Sequence, residues 1–360
     1  MEKLPGGLVS VAVPIPDNPL RYTLSYLIPG DHGLVVVDPG WDSDAGWDAL
    51  VAGLEFAGAT PADVTGVVLT HVHPDHHGLT ARLRDASGAW VAMHPAEQAS
   101  MLRNRETAPS RALGGWMRAL NVPEAEAGVL LSTFGSEADR HFAGFADADV
   151  LLEDGDTVPL PGRTLRAIWT PGHTPGHLCL LEPDAQLLLT GDHVLPRISP
   201  NIGLTLSGSD PLGQYLDSLA KVSAYDDCEA LPGHEHRFRG IADRCAALTA
   251  HHHERCEEIV ATVRRLGAPT IWAVAAALTW SRPWERIGPM KVGAVAETAA
   301  HVELLVSAGR LSRSADGHVT ELSPQTTDVS PQVTDVSPQV TDLSTKSTSS
   351  SAYLSAPAAT

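Results

Sequence analysis

Within this 360-residue chain, the side chains best suited to chemistry stand together in Thr70-His71-Val72-His73-Pro74-Asp75-His76-His77-Gly78. Three imidazoles and a carboxylate between His71 and His76 cannot all be ordinary core residues, because each buried polar group needs a partner of its own. On an extended segment His71 and His73 point to the same side. Pro74 then turns the chain, so that Asp75 and His76 face a second point nearby. That arrangement suits two adjacent metal ions better than one. Three later stretches repeat the theme of a glycine loop carrying a polar side chain: Thr170-Pro171-Gly172-His173-Thr174-Pro175-Gly176-His177, Leu189-Thr190-Gly191-Asp192-His193 and Leu231-Pro232-Gly233-His234. Each follows an apolar run, at the C-terminal strand ends where α/β sheets gather their functional loops. Imidazole and carboxylate donors without thiolate suit zinc, and also iron or manganese.

The remaining histidines have blander readings. His77 is expected to make a structural hydrogen bond, and His177 to secure its own loop. His193 and His236 flank the motifs and are placed against substrate, at the surface or in support of the neighbouring ligands. His251, His252 and His253 are consecutive on a helical pattern, fan out around it and read as surface residues. The four cysteines, Cys179, Cys228, Cys245 and Cys256, include no C-x-x-C pair and read as reduced thiols, Cys179 being a small core residue.

The elements that must position these groups alternate through residues 1–244, which read as an α/β domain. Strands are expected at Leu8–Val13, Thr23–Ile28, Leu34–Val37, Gly66–Thr70, Ala89–Met93, Thr164–Trp169, Leu178–Leu181, Leu187–Leu189 and Glu229–Leu231. Helical spacing appears over Ala45–Ala57 and Pro211–Tyr225. Residues 95–148 separate two strand groups and read as a helical insertion, a lid or a cover for the sheet, anchored by Trp116, Met117, Leu120 and Phe134. Residues 245–322 read as a second, compact domain. It has helices near Asp243–Leu266, Ile271–Leu278 and Ala294–Ala308, and a hairpin of Arg310–Arg313 with His318–Leu322 about Asp316-Gly317, the order of a winged helix. From Thr327 the unit TDVSPQV repeats every seven residues. Pro331 and Pro338 forbid a coiled coil, so residues 323–360 are expected to be a disordered low-complexity tail.

The H-x-H-x-D-H motif, the later Gly-His, the Gly-Asp and the last Gly-His together resemble the metallo-β-lactamase superfamily over residues 8–240. Within it, TPGHTPGH and GD are similar to the motifs of glyoxalase II and its hydrolase relatives. The C-terminal segment resembles the winged-helix domain of a lactamase-like hydrolase subgroup, to about residue 322. The resemblance implies an αββα sandwich of two mixed sheets between helices, with metals at one edge. It implies one site of His71, His73 and His173, a second of Asp75, His76 and His234, and Asp192 bridging both. Asp38, in Val37-Asp38-Pro39-Gly40, fits the first motif of the family and is expected to orient ligands. Two zinc ions about 3.5–4 Å apart would share a hydroxide. That hydroxide, oriented by Asp75, would attack a small ester or thioester. Hydroxyacylglutathione hydrolysis is the most specific version, although the basic residues that grip glutathione have no match at the C-terminus. The alternatives are a phosphodiesterase or endoribonuclease of the winged-helix subgroup, with Arg237, Arg239 and Arg244 as a basic strip, and mononuclear iron chemistry on a persulfide. A non-enzymatic, metal-stabilised interaction module is disfavoured by the intact set of seven ligands.

Composition bounds the rest. No apolar run approaches a membrane span, and Met1-Glu2-Lys3-Leu4-Pro5 opens no secretory h-region, so a cytoplasmic protein is expected. The net charge is −18. Such a chain is a poor partner for nucleic acid, whose binding depends on neutralising phosphates. Residues 245–322 balance eight Arg/Lys against eight Asp/Glu, which favours a packing or homodimerisation role for the C-terminal domain over nucleic-acid reading. The expected partner is a small-molecule substrate.

Overall fold

The computed structural model describes residues 1–107, 109–133, 145–203 and 210–322. Seven strands form the first sheet in chain order: β1 Glu2–Lys3, β2 Val9–Pro14, β3 Tyr22–Gly30, β4 Gly33–Val37, β5 Val64–Val68, β6 Trp90–Met93 and β7 Val150–Leu151. The first four pair antiparallel, and β4 to β7 run parallel. The second sheet has the order β11-β10-β9-β8, with β8 Arg166–Trp169, β9 Leu178–Glu182, β10 Leu187–Gly191 and β11 Glu229–Pro232. In it β10 and β11 run parallel, and the other neighbours run antiparallel.

Two-residue alternation divides the strands between layers. On β4, Val35 and Val37 enter the core between the sheets, while Leu34 and Val36 face a helical layer with Leu50 and Leu54 of α1 (Asp44–Phe56) and Leu83 of α3 (Thr80–Ser87). On the second sheet, Ala167, Leu178, Leu180, Leu187 and Leu189 face inward to the same central core. Ile168, Cys179, Leu188 and Ala230 face outward, onto α7 (Pro211–Val222) and the first half of α8 (Ile241–Leu266). The result is the expected αββα sandwich. The strands expected from the sequence lie within two residues of their observed positions, whereas the short edge strands β1 and β7 were not expected.

A further apolar core lies outside the sandwich. The expected boundary at 244/245 falls inside α8, which is unbroken. Its first half, with Ile241, Cys245 and Leu248, packs on the second sheet. Its second half, with Cys256, Ile259 and Val263, packs with α9 (Ile271–Ala277), α10 (Lys291–Ser307) and the hairpin β12–β13 (Leu311–Arg313 and Val319–Glu321). The same core takes Met117, Leu120, Val122 and Leu130 from the insertion, which contributes α4 (Pro95–Glu106), α5 (Pro109–Ala119) and a helix α6 over 124–133. Polar contacts tie the insertion to the C-terminal helices. Lys291 pairs with Glu126 at 3.0 Å, Asn121 Nδ2 donates to the Asp316 carbonyl, and Arg313 donates to the Ala119 carbonyl. Phe134 and the tail 323–360 lie outside the described residues. No described helix is long and apolar enough to cross a membrane.

Candidate metal centre

The strand ends place the motif loops along one edge. β4 delivers Asp38, β5 leads into 70–77, β8 into 170–177, β10 into Asp192 and β11 into His234. Pro74 starts the one-turn helix α2 (Pro74–His77), which carries Asp75 and His76 and brings the His76 ring to 4.1 Å from that of His71. Asp38 sits at φ +52° and Glu235, after His234, at φ +70°. Both are backbone conformations that side chains seldom adopt, at the two ends of the cluster.

The hydrogen-bond network fixes where each imidazole keeps its proton. Thr70 gives its N–H to Asp38 Oδ1 (2.8 Å) and its hydroxyl proton to Asp38 Oδ2 (2.6 Å). Its oxygen can therefore only accept from His71 Nδ1, at 3.0 Å. His76 Nδ1 donates to Asp38 Oδ2 (2.9 Å), His173 Nδ1 to the Asn201 carbonyl (2.8 Å) and His234 Nδ1 to the Tyr22 carbonyl (3.0 Å). All four neutral rings are then left with a bare Nε2. Those lone pairs converge. His71 Nε2 and His173 Nε2 are 3.3 Å apart, each 3.0 Å from His73 Nδ1. His76 Nε2 and His234 Nε2 are 3.4 Å apart, and Asp75 Oδ2 lies 3.2 Å from His234. Asp192 stands between the groups. Its Oδ1 is 3.4 Å from both His76 and His234, and its Oδ2 is 3.7 Å from His173. Asp192 Oδ1 is buried and has no hydrogen-bond partner among the described residues. Lone pairs aimed at lone pairs and an orphaned carboxylate oxygen repel one another unless positive charge lies between them. The donor set therefore fits divalent cations, and potential ligand atoms group as His71/His73/His173, His71/His76/Asp192 and Asp75/His76/His234.

The two ends differ electrostatically. Burial, reinforced by neighbouring imidazoles, holds His71 well below its usual pKa; burial brings His73 to about 3 and His173 also below normal. That end is neutral and ready to coordinate. At the other end burial acts the same way but is outweighed. The Asp192, Asp75 and Asp38 carboxylates raise His76 well above normal, and Asp192 and Asp75 push His234 up to about 10. Without a metal, protons take the place of the cation there.

Neighbouring residues hold the cluster in shape. His177 secures more than its own loop. Its Nδ1 pairs with Thr170 Oγ1 at 2.8 Å, and its Nε2 accepts the Asp192 N–H at 3.1 Å. A Cβ on Gly233 would lie 2.6 Å from His76 and 2.7 Å from Asp192, so only glycine lets β11 approach this closely. His77 donates to the Ala146 carbonyl at 3.2 Å and stacks on Phe145.

Several expectations are corrected. His252 is buried, 1% exposed, rather than at the surface. It shares the helix face of Cys245, Leu248, Cys256 and Ile259, and its Nδ1 pairs with His301 Nε2 at 3.1 Å. His193 is fully buried beside Tyr215, whereas His236 is exposed. The arginines form no free strip. Arg237 pairs with Glu2 and Glu229, Arg239 reaches Glu229, and Arg244 donates to the carbonyls of Leu195 and Ile198. Sequence reasoning missed Glu97 and Asn201. Glu97 occupies the third position of α4, where an acidic residue ordinarily serves only to cap the helix, so its type carried no separate signal.

Residues 18–234 match the family model of the metallo-beta-lactamase superfamily. A crystal structure of a metallo-beta-lactamase family protein from Thermus thermophilus is similar at a TM-score of 0.75 and 28% identity, covering 89% of this chain and 99% of that one. The lactamase-like protein adaB of Aspergillus niger is 24% identical over 247 residues, 68% of this chain, and the chain spans 60% of the length of that relative. Over 83 residues, 23% of this chain and 24% of the relative, an atrochrysone carboxyl ACP thioesterase of Aspergillus fumigatus is 35% identical.

Proposed function

The chain belongs to the metallo-beta-lactamase superfamily, and from that premise we propose that it is a two-metal hydrolase of small esters and thioesters. The observation that carries the reading is the convergence of bare imidazole nitrogens on Asp192, with its orphaned Oδ1. His71, His73 and His173 would hold one ion, and Asp75, His76 and His234 the other, with Asp192 shared. When bound, such a pair supplies a water of lowered pKa and polarises the carbonyl under attack. Zinc is the ion we propose, with iron and manganese as the chemical alternatives.

The protein's own part is orientation. Asp38 fixes His71, through Thr70, and His76 directly, so one carboxylate sets a ring at each ion. His177 fixes the backbone of Asp192. His73 and Asp75 are only half-buried, so they border the open side on which substrate would enter. Asp75 is acceptor-only at neutral pH; burial would raise its pKa, but His76 and His234 bring it down to about 2. It is the group we assign to orient the attacking water.

The thioester preference draws support from a relative named as an ACP thioesterase. Cleavage of hydroxyacylglutathione is one member of that class. A phosphodiesterase reading loses the arginine strip it needed, since Arg237, Arg239 and Arg244 are engaged within the chain. We read α8–α10 and the hairpin as a winged-helix unit whose role is intramolecular packing. The test is turnover by zinc-loaded protein on p-nitrophenyl acetate, a short acyl thioester and bis-p-nitrophenyl phosphate. The reading expects the first two to be cleaved. Cleavage of the phosphodiester alone would overturn it.

A further inference from the structure

One side chain of the insertion, Glu97, bonds to both loops that carry His71, His73 and His173. Glu97 is fully buried in the first turn of α4. That turn is already capped, because His94 Nδ1 accepts the Ala96 N–H at 3.1 Å. Glu97 is therefore free to point elsewhere. Its Oε2 accepts the N–H of Val72 at 3.0 Å, between His71 and His73. Its Oε1 accepts the N–H of Gly176 at 2.7 Å, three residues after His173. One carboxylate thus joins two loops that are about a hundred residues apart in sequence and supply three imidazoles to one ion. The approach leaves no slack. A Cβ on Gly176 would lie 2.6 Å from the Glu97 nitrogen and 2.9 Å from its Cγ. A buried carboxylate is costly unless its hydrogen bonds are made, so the two N–H groups and the carboxylate hold one another in place.

We propose that Glu97 is a positioning residue of the metal centre, which sets the separation of His71 and His73 from His173 by clamping both of their loops, and that the insertion is therefore part of the site. The proposal rests on the two-metal reading. It is tested on the full chain with Glu97→Gln and Glu97→Ala, by zinc titration against a chromophoric chelator, by the visible spectrum of the cobalt-loaded protein and by the unfolding midpoint of the metal-free protein. Wild type takes up two ions. Glu97→Gln keeps one acceptor and presents N–H₂ to a backbone N–H. It is expected to weaken one ion about tenfold or more, in the range seen when partners of metal ligands are lost, to shift the cobalt spectrum, and to lower kcat rather than raise KM. Glu97→Ala weakens the same ion further. A purely structural Glu97 would lower the unfolding midpoint and leave ion affinities and the cobalt spectrum unchanged. That result, in variants that fold, overturns the proposal. Glu97→Gln, close in shape to the native side chain, decides if Glu97→Ala fails to fold. Wild-type protein that takes up no ion overturns the two-metal reading, and the role of Glu97 with it.

Discussion

Two clusters of buried imidazoles lie within a few side chains of each other, and they are built on opposite terms. In the first, His71, His76, His173 and His234 each spend Nδ1 on a hydroxyl, carboxylate or carbonyl and turn a bare Nε2 toward the others and toward Asp75 and Asp192. In the second, His193 and His252 pack against Tyr215 and His301 packs against His252, with no carboxylate among them. His301 Nδ1 donates to the Glu297 carbonyl at 2.7 Å, so its Nε2 is bare and accepts from His252 Nδ1. His252 Nε2 and both nitrogens of His193 have no hydrogen-bond partner among the described residues. Burial and ring chemistry are alike in the two. The difference is convergence and charge: only in the first do several lone pairs and two carboxylates aim at common points, and only that arrangement calls for a cation.

That contrast is broken most severely at Asp192. Asp192→Ala removes the carboxylate that we propose is shared by two ions. It is expected to lower metal content below two per chain and to reduce ester turnover to background, read by elemental analysis and a p-nitrophenyl acetate assay. A fully active variant with two ions would refute the assignment. A smaller effect is expected one layer out. Asp38→Asn leaves every ligand in place but loses an acceptor for Thr70 or His76. It should weaken metal binding by about 10–100-fold in chelator competition.

The second cluster should respond to acid instead of metal. Burial, with His301, His251 and Arg255 nearby, holds the His252 pKa far below normal, and burial brings His301 to about 4. In the unfolded chain these rings take up protons below about pH 6.5, while the folded chain does not. The unfolded state then binds more protons, so stability is present above that pH and is lost as pH falls. From pH 7 to pH 5.5, denaturant unfolding of wild type should lose about 1 kcal/mol more than that of His252→Leu. Equal losses would show that His252 takes up protons in the fold as readily as in the unfolded chain. At pH 7 the same substitution should cost only about 1–3 kcal/mol, from the acceptor stranded on His301, and leave the two-ion stoichiometry intact.

These clusters also show what a sequence can reveal. The cluster proposed to bind metal was legible as a cluster because its chemistry is carried by residue type and by strand ends: His71, His73, Asp75 and His76 are neighbours, and His173, Asp192 and His234 each follow an apolar run. Most strands were legible from apolar runs between turn residues. His252 was misplaced because three consecutive histidines suggest a solvated face, yet the spacing of Cys245, Leu248, His252, Cys256 and Ile259 marks the buried one. The arginine strip failed for a different reason. Its partners Glu2 and Glu229 come from elsewhere in the chain and meet Arg237 only in the folded sandwich. The division at 244/245 met a helix that serves both cores, a tertiary fact with no local signature. Glu97 was hidden because its position has an ordinary capping explanation.

The central claim, that the first cluster is a two-metal centre, is tested most directly by metal content per chain, measured by elemental mass spectrometry on protein purified without chelator and again after reconstitution with zinc. Two divalent ions per chain are predicted. No bound metal after reconstitution would contradict the claim.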